Sequence, residues 1–229
     1  MDDGAYDIDE SLELCRMADR NGIDKIVATP HFVKCKDVDG FLEFRNNKIA
    51  DLQELLTDRN IYIKIYGGAE VYVSSLIEDF PDLKKLTINN GRYLLCEFKN
   101  PNYTEKKIEH YLNIIRENEL IPVIAHAELI NAVQQDILFA KRIKSKFGAK
   151  IQVNLSDLIG FIRYKHRKTA DMLLERNLAD VLATDSHDPI KRNNNVEFFL
   201  DRFRVKLSSE QKERLLEENP QKIVDDIDF

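Results

Sequence analysis

Six acidic or imidazole side chains stand at or just past the ends of short apolar runs. His31 lies two residues beyond Lys25–Thr29, and Glu70 follows Ile61–Tyr66 by way of Gly67-Gly68-Ala69. Glu97 directly follows Cys96, His126 directly follows Ala125, and Asp185 directly follows Thr184, with His187 two residues on. Five of the six runs therefore end in His, Glu or Asp. Buried carboxylates are costly unless they are paired or bind a metal. If the runs converge, two glutamates, an aspartate and three histidines share one place, and divalent cations would relieve that crowding with the imidazoles as further ligands. Mixed nitrogen and oxygen donors suit Mn, Fe or Zn better than Ca, and a set without cysteine argues against a structural Zn site. Taken singly, each residue reads as well as a loop histidine, a hydrogen-bonded core histidine or a solvated carboxylate; only the joint pattern points to a site. His110 and His166 lie within predicted helices among Lys, Arg and Glu and are assigned to the solvated surface.

The elements that must position these groups alternate. Lys25–Thr29, Ile61–Tyr66, Tyr93–Cys96, Ile121–Ala125, Ile151–Asn154 and Asp180–Thr184 are apolar and rich in β-branched residues, the pattern of strands buried on both faces of a parallel sheet. Between them, Asp9–Asn21, Phe41–Arg59, Thr104–Glu119, Asn131–Phe147 and His166–Asn177 have helical period, with Phe41, Phe44, Leu52, Leu55 and Leu56 as the apolar stripe of the second. Gly22 closes the first helix, and Ser208-Ser209-Glu210-Gln211 predicts a capped start to a last one. The expected architecture is a single α/β domain over residues 1–229, with a parallel sheet that is either a barrel or an open doubly wound sheet. In an α/β barrel the C-terminal strand ends converge on the active site, which is where the six residues stand. There is no internal repeat, and neither G-x-G-x-x-G nor G-x-x-x-x-G-K-[ST] occurs.

Composition removes other classes. The 229 residues carry 34 Lys and Arg against 40 Asp and Glu, a net charge of −6 that argues against a nucleic-acid surface spread over the whole protein. No apolar run approaches the roughly 18–20 residues of a membrane span, so no membrane insertion is expected. Cys15, Cys35 and Cys96 form a sparse, odd set that suits a reducing compartment, and none begins the C-x5-R run of cysteine-based phosphatases. The acidic start Met1-Asp2-Asp3-Gly4 has no signal-peptide character, so a cytoplasmic location is expected.

Several ordered segments carry a resemblance. They are Asp2-Asp3-Gly4-Ala5, Ala28-Thr29-Pro30-His31, Gly67-Gly68-Ala69-Glu70, Leu94-Leu95-Cys96-Glu97-Phe98, Pro122-Val123-Ile124-Ala125-His126, Ala183-Thr184-Asp185-Ser186-His187 and Asn219-Pro220-Gln221-Lys222-Ile223-Val224. In order and spacing, the chain resembles the bacterial metal-dependent protein-tyrosine phosphatases of the polymerase and histidinol phosphatase (PHP) superfamily, the CpsB/CapC group. The resemblance implies a distorted TIM-like (β/α)7 barrel holding up to three divalent ions, Mn first, with Fe, Zn or Mg as alternatives. It implies Asp3, His31 and His187 as ligands of one metal and Glu70, Glu97 and His126 as ligands of a second, with Glu70 and Asp185 serving a third. It implies Arg192 as a phosphate-binding group. The implied activity is hydrolysis of phosphotyrosine in proteins by an activated water. The implied partner is the tyrosine-rich tail of a bacterial kinase controlling capsular or extracellular polysaccharide synthesis.

Two departures shape the expectations. The family opens with a strand carrying His-x-His, which completes the third site, whereas here Met1 stands two residues before Asp3. The expectation is a sequence that begins inside the protein, a genuine loss being the alternative, with the first strand missing, its neighbours' edges unpaired, a weakened third site and low activity. The family's usual arginine is replaced by Leu129, which lacks the bidentate donors that hold phosphate. The rival readings are a histidinol-phosphatase-like enzyme of small metabolites and a catalytically impaired, metal-binding regulatory relative. The sequence leaves the oligomeric state open.

Overall fold

The computed structural model describes residues 3–33, 37–78, 80, 82–156, 164–201 and 206–229. The element α1 (Ile8–Arg20) begins at Asp7, whose carboxylate accepts from the Glu10 backbone N–H, and it buries Leu12, Cys15 and Ala18. The next run is a strand in two pieces, β1 (Lys25–Ala28) and β2 (His31–Phe32). The break falls at Thr29-Pro30, where proline can donate no ladder hydrogen bond. The long α2 (Val38–Asp58) leads to a second broken strand, β3 (Lys64–Gly67) and β4 (Glu70–Tyr72). Then come β5 (Tyr93–Glu97), α3 (Glu105–Glu117), β6 (Ile121–Ile124), α4 (Asn131–Gln135), α5 (Ile137–Phe147), β7 (Lys150–Asn154), α6 (Tyr164–Glu175) and β8 (Val181–Ala183). The chain ends with α7 (Val196–Leu200), α8 (Ser209–Glu213), a π-helical turn over Arg214–Glu218 and α9 (Asn219–Val224).

Every strand pairing is parallel. β1 pairs with β3, and a six-stranded sheet runs β2-β4-β5-β6-β7-β8. Neighbours in space are thus neighbours in sequence, with helical crossovers between them, as the alternating pattern predicts. The fold is α/β with a parallel sheet. The sheet does not close into a barrel among the described residues: β2 and β8 each have one partner and stand at its two edges.

The core has separate faces. Toward the helices, Leu94, Cys96, Ile124, Ile151 and Val153 pack with Ile108, Leu112 and Ile115 of α3 and with Ile143 and Leu173 of α5 and α6. The opposite face joins Tyr93, Leu95, Val123 and Val181 to Ile223 and Val224 of α9. All five residues of β5 are buried, which is why it reads as an unbroken apolar run. A third cluster seals α1 and α2 against Ile61 and Ile63.

Several local expectations shift. Ile61–Ile63 precede the strand rather than begin it, because they pack on α1 and α2 before β1 is available as a partner at Lys64. The predicted helix over Asn131–Phe147 divides at Asp136, which is extended (φ −138°, ψ 101°) and caps the second part by accepting from Leu138 N–H. The Ser208 capping box forms with Gln211, as its sequence predicts. On α2, Phe44 is 48% exposed, whereas Arg45 is 5% exposed. The reason is a specific bond: Arg45 Nη1 donates to the Gly68 carbonyl at 2.9 Å, across the break between β3 and β4. Gly67 leaves room for this, since a Cβ there would come within 3.0 Å of the guanidinium. Arg45→Ala is expected to lower stability by about 1–3 kcal/mol, the cost of a buried acceptor losing its donor. Urea unfolding measures it; an unchanged midpoint would mean that another donor reaches Gly68.

Candidate metal centre

Strand register assembles the site. His31 of β2 pairs with Glu70 of β4, and Tyr72 of β4 pairs with Glu97 at the end of β5. His126 follows β6 and starts the 3₁₀ turn Ala127–Leu129 with left-handed backbone (φ 33°). Asp185, just past β8, is also left-handed (φ 48°). Such conformations cost energy in residues with a Cβ and mark positions where the surroundings dictate side-chain direction.

The innermost group is buried and charged. Glu70, Glu97 and His126 are 6%, 4% and 9% exposed. His126 Nε2 lies 2.8 Å from Glu70 Oε1 and 3.5 Å from Glu97 Oε1. Burial would lower the imidazole pKa, but the two carboxylates outweigh it and raise the pKa to about 10. Burial pushes the Glu97 carboxyl up; His126, Lys99 and His31 pull it further down, to a net lowering. His31 Nδ1 is 3.7 Å from Glu70 Oε2.

A second, more open group adjoins it. His31 Nε2 is 3.2 Å and His187 Nε2 3.4 Å from Asp3 Oδ1. The modest burial of Asp3 raises its pKa less than His187, His31 and Arg192 lower it. His187 Nδ1 is held by the Asp185 backbone carbonyl at 2.9 Å, which leaves Nε2 facing Asp3. Arg192 Nη2 donates to Asp185 Oδ2 at 2.7 Å, and its Nη1 lies 3.6 Å from Asp3 Oδ2.

Donor atoms of Asp3, His31 and His187 lie within 4.8 Å of one another, and so do those of His31, Glu70 and Glu97. The first triplet is the one the resemblance implies. The second shares His31 with the first, and His126, which the resemblance implies beside Glu70 and Glu97, sits against both carboxylates. Asp185 faces Arg192 and Asn154. Met1, Asp2 and Cys35 lie outside the described residues. Leu129 is partly buried, and its backbone N–H donates to the His126 carbonyl at 2.9 Å.

The sequence reading missed Asn154, whose Nδ2 donates to Asp185 Oδ2 at 2.7 Å. The available signal was its place at the end of β7, the one of the six apolar runs not followed by a singled-out acid or histidine. It also missed Lys99, 3.5 Å from Glu97 Oε1. His110 pairs with Glu78 at 3.2 Å on the surface, as expected, whereas His166 is half-buried rather than solvated. Cys15 and Cys96 are buried; burial pushes the Cys15 thiol up to about 11 and the Cys96 thiol higher still, so neither is a thiolate near neutral pH.

The donors fit divalent cations. His126 Nδ1 is buried with no hydrogen-bond partner, while a protonated ring holds two buried carboxylates together. A cation would do the same and release the proton. Nitrogen and oxygen donors without sulfur suit Mn- or Fe-type ions.

A parallel α/β sheet with imidazoles and carboxylates gathered at its strand breaks and strand ends defines a protein with a candidate metal centre. Comparison with known proteins gives the family. The profile of the CpsB/CapC family, described as capsular polysaccharide synthesis, matches residues 1–225, and the chain belongs to this family. CapC of Staphylococcus aureus is 31% identical over 198 residues, covering 84% of this chain and 74% of its own. The tyrosine-protein phosphatase CpsB of Streptococcus pneumoniae is 29% identical over 238 residues, covering 99% of this chain and 94% of its own. The fold matches a solved structure from work on YwqE of Bacillus subtilis and CpsB of S. pneumoniae, described as metal-dependent tyrosine phosphatases. The TM-score is 0.80 at 24% identity, over 99% of this chain and 91% of that one.

Glu97→Gln and His187→Ala each remove one donor, from different triplets. Each is expected to weaken Mn(II) binding by about 10–100-fold or more, at least the loss seen when a mere supporting contact is removed. Titration calorimetry on the ion-free protein checks this; unchanged stoichiometry and affinity in both variants would exclude the cluster as a metal centre.

Proposed function

We propose that this protein is a metal-dependent phosphatase that hydrolyses phosphotyrosine in proteins of capsular polysaccharide synthesis. The observation that carries the reading is the convergence of Asp3, His31, Glu70, Glu97, His126 and His187 on one place, with His31 and Glu70 just past the breaks in two parallel strands and Glu97 and His126 at the ends of the next two. The names of the matching relatives support it. Asp3, His31 and His187 would hold one ion, and Glu70 and Glu97, with His31 or His126, a second. Asp185 is available to a third once released by Arg192. Bound divalent ions supply the positive charge that lowers the pKa of an attacking water and offsets the phosphoryl oxygens.

The remaining work belongs to the chain. Arg192 is 44% exposed in its side chain, and the Asp185 and Asp3 carboxylates hold its guanidinium beside the open triplet. A phosphoryl group entering there exchanges those carboxylates for its own oxygens, to which Arg192 can donate two parallel hydrogen bonds. Asn154 and the Asp185 backbone carbonyl fix the Asp185 and His187 side chains, so the triplet keeps its geometry while Arg192 moves. Cys15 and Cys96, buried with thiol pKa values pushed up, are not the nucleophile, and the reading assigns that part to an activated water. The finer parts of this reading are manganese as the resident ion, a barrel of the PHP type, a kinase's tyrosine-rich tail as the substrate and a cytoplasmic location. Among the described residues, no helix is long and apolar enough to cross a membrane.

Mn-loaded protein is expected to hydrolyse both an aryl phosphate and a phosphotyrosine peptide, and to lose both activities to a chelator; failure on both substrates refutes the phosphatase reading. Arg192→Leu is expected to lower kcat/KM by about 10–100-fold, the worth of a charge-assisted hydrogen bond. Equal kcat/KM in this variant would remove Arg192 from phosphate binding.

A further inference from the structure

A second concave surface lies beside the metal centre. The turn Ala127–Leu129 leads from His126 straight into α4, and a groove of about 820 Å³ runs between the α4–α5 junction and α6. Both walls begin at the end of the sheet that bears the centre, because α4 follows β6 and α6 follows β7. Three exposed cations line it: Lys165 and Lys168, one turn apart on α6, and Arg176, just past its end. Among the described residues, none of the three has a carboxylate within ion-pair distance. The acid in the groove wall, Asp136, is bound by Arg142 at 2.7 Å and also feels the charge of Arg176, so Lys165 and Lys168 are the cations without a neighbouring counter-charge in the lining. Tyr164 and Leu138 add apolar surface at 69% and 49% exposure.

This local charge runs against the chain's net −6. Unpaired cations in a groove, with an aromatic and an aliphatic side chain between them, suit an extended acidic peptide. The groove wall starts at Asn131, five residues past His126, so a peptide lying in it would run on the same side of the sheet as the centre. Resting on the phosphatase reading above, we infer that this groove binds acidic residues flanking the phosphotyrosine of a protein substrate. Lys165, Lys168 and Arg176 would then set the enzyme's preference among phosphotyrosine sites without touching the reacting atoms.

The test uses two fluorescein-labelled peptides built on a non-hydrolysable phosphonate analogue of phosphotyrosine. One is flanked by glutamates and the other by glutamines. Binding to the Mn-loaded full chain is followed by fluorescence anisotropy, and aryl phosphate hydrolysis and the thermal midpoint are measured alongside. The acidic peptide is expected to bind the wild type more tightly than the neutral one, by a margin that shrinks with added salt. Lys165→Glu/Lys168→Glu is expected to weaken acidic-peptide binding about tenfold, two charge contacts' worth. It should leave the neutral peptide, the aryl phosphate rate and the thermal midpoint unchanged. Equal affinity for the acidic peptide in variant and wild type overturns the proposal. So does an equal loss for both peptides, or a loss confined to binding of anionic phospholipid vesicles. Absence of aryl phosphate hydrolysis in the wild type would instead overturn the phosphatase reading, a distinct result.

Discussion

In parallel register, His31 on β2 lies opposite Glu70 on β4, and the last residue of β4 lies opposite Glu97 on β5. Adjacent strands are about 4.8 Å apart, so this pairing alone brings an imidazole and two carboxylates within reach of a common ion. A slip of one residue in either ladder would turn Glu70 to the other face of the sheet. The breaks at Thr29-Pro30 and Gly68-Ala69 matter for the same reason. They separate the β1–β3 ladder from the β2–β4 ladder, so the short segments that bear His31 and Glu70 take their own direction. Arg45, reaching from α2 to the Gly68 carbonyl, ties that break to the helical layer.

The charge at this mouth explains much of what surrounds it. Glu70 and Glu97 are buried by helices and sheet, with His126 and His31 as their close partners. Asp3 and Asp185 are more open and take Arg192 as a counter-charge. The cluster is therefore graded, from a buried pair of carboxylates through the half-buried Asp185 to the exposed Asp3. In low-dielectric surroundings the inner carboxylates need a cation or a protonated imidazole. On the rim the same need is met by the partly exposed Arg192 guanidinium. The unpaired lysines on α6 lie beyond this rim, and the acids of the centre are not among their partners.

The strands and most helices were legible because their apolar periods are strong and their ends are punctuated. Ser208 starts α8 by a hydroxyl cap that the sequence displays, whereas α1 begins at Ile8 behind an Asp7 cap, just ahead of the expected start at Asp9. Residues at the strand ends were legible by position: His31, Glu70, Glu97, His126, Asp185 and His187 each follow an apolar run. Less legible was anything set by contact between distant segments. The stripe on α2 gave no sign that Arg45 would be buried in preference to Phe44, because the partner that decides it, the Gly68 carbonyl, is 23 residues away. The split at Asp136 was hidden because the apolar period continues through it, and only the packing of α4 on its neighbours demands the turn.

The sequence by itself determined which side chains can bind cations and that each follows an apolar run, since hydrophobic runs and turn residues are local properties, but β1 and β3, expected to be buried on both faces, are only partly covered. It also carried the ordered motifs by which the family is identified. The tertiary structure decided how those side chains are grouped. His31 stands between the two triplets, His126 sits against both inner glutamates, and Asn154 and Arg192 share one oxygen of Asp185. It also decided that the sheet stays open among the described residues. These outcomes depend on register, strand breaks and left-handed turns, which bring together residues far apart in the chain, and no local pattern encodes a distance between them.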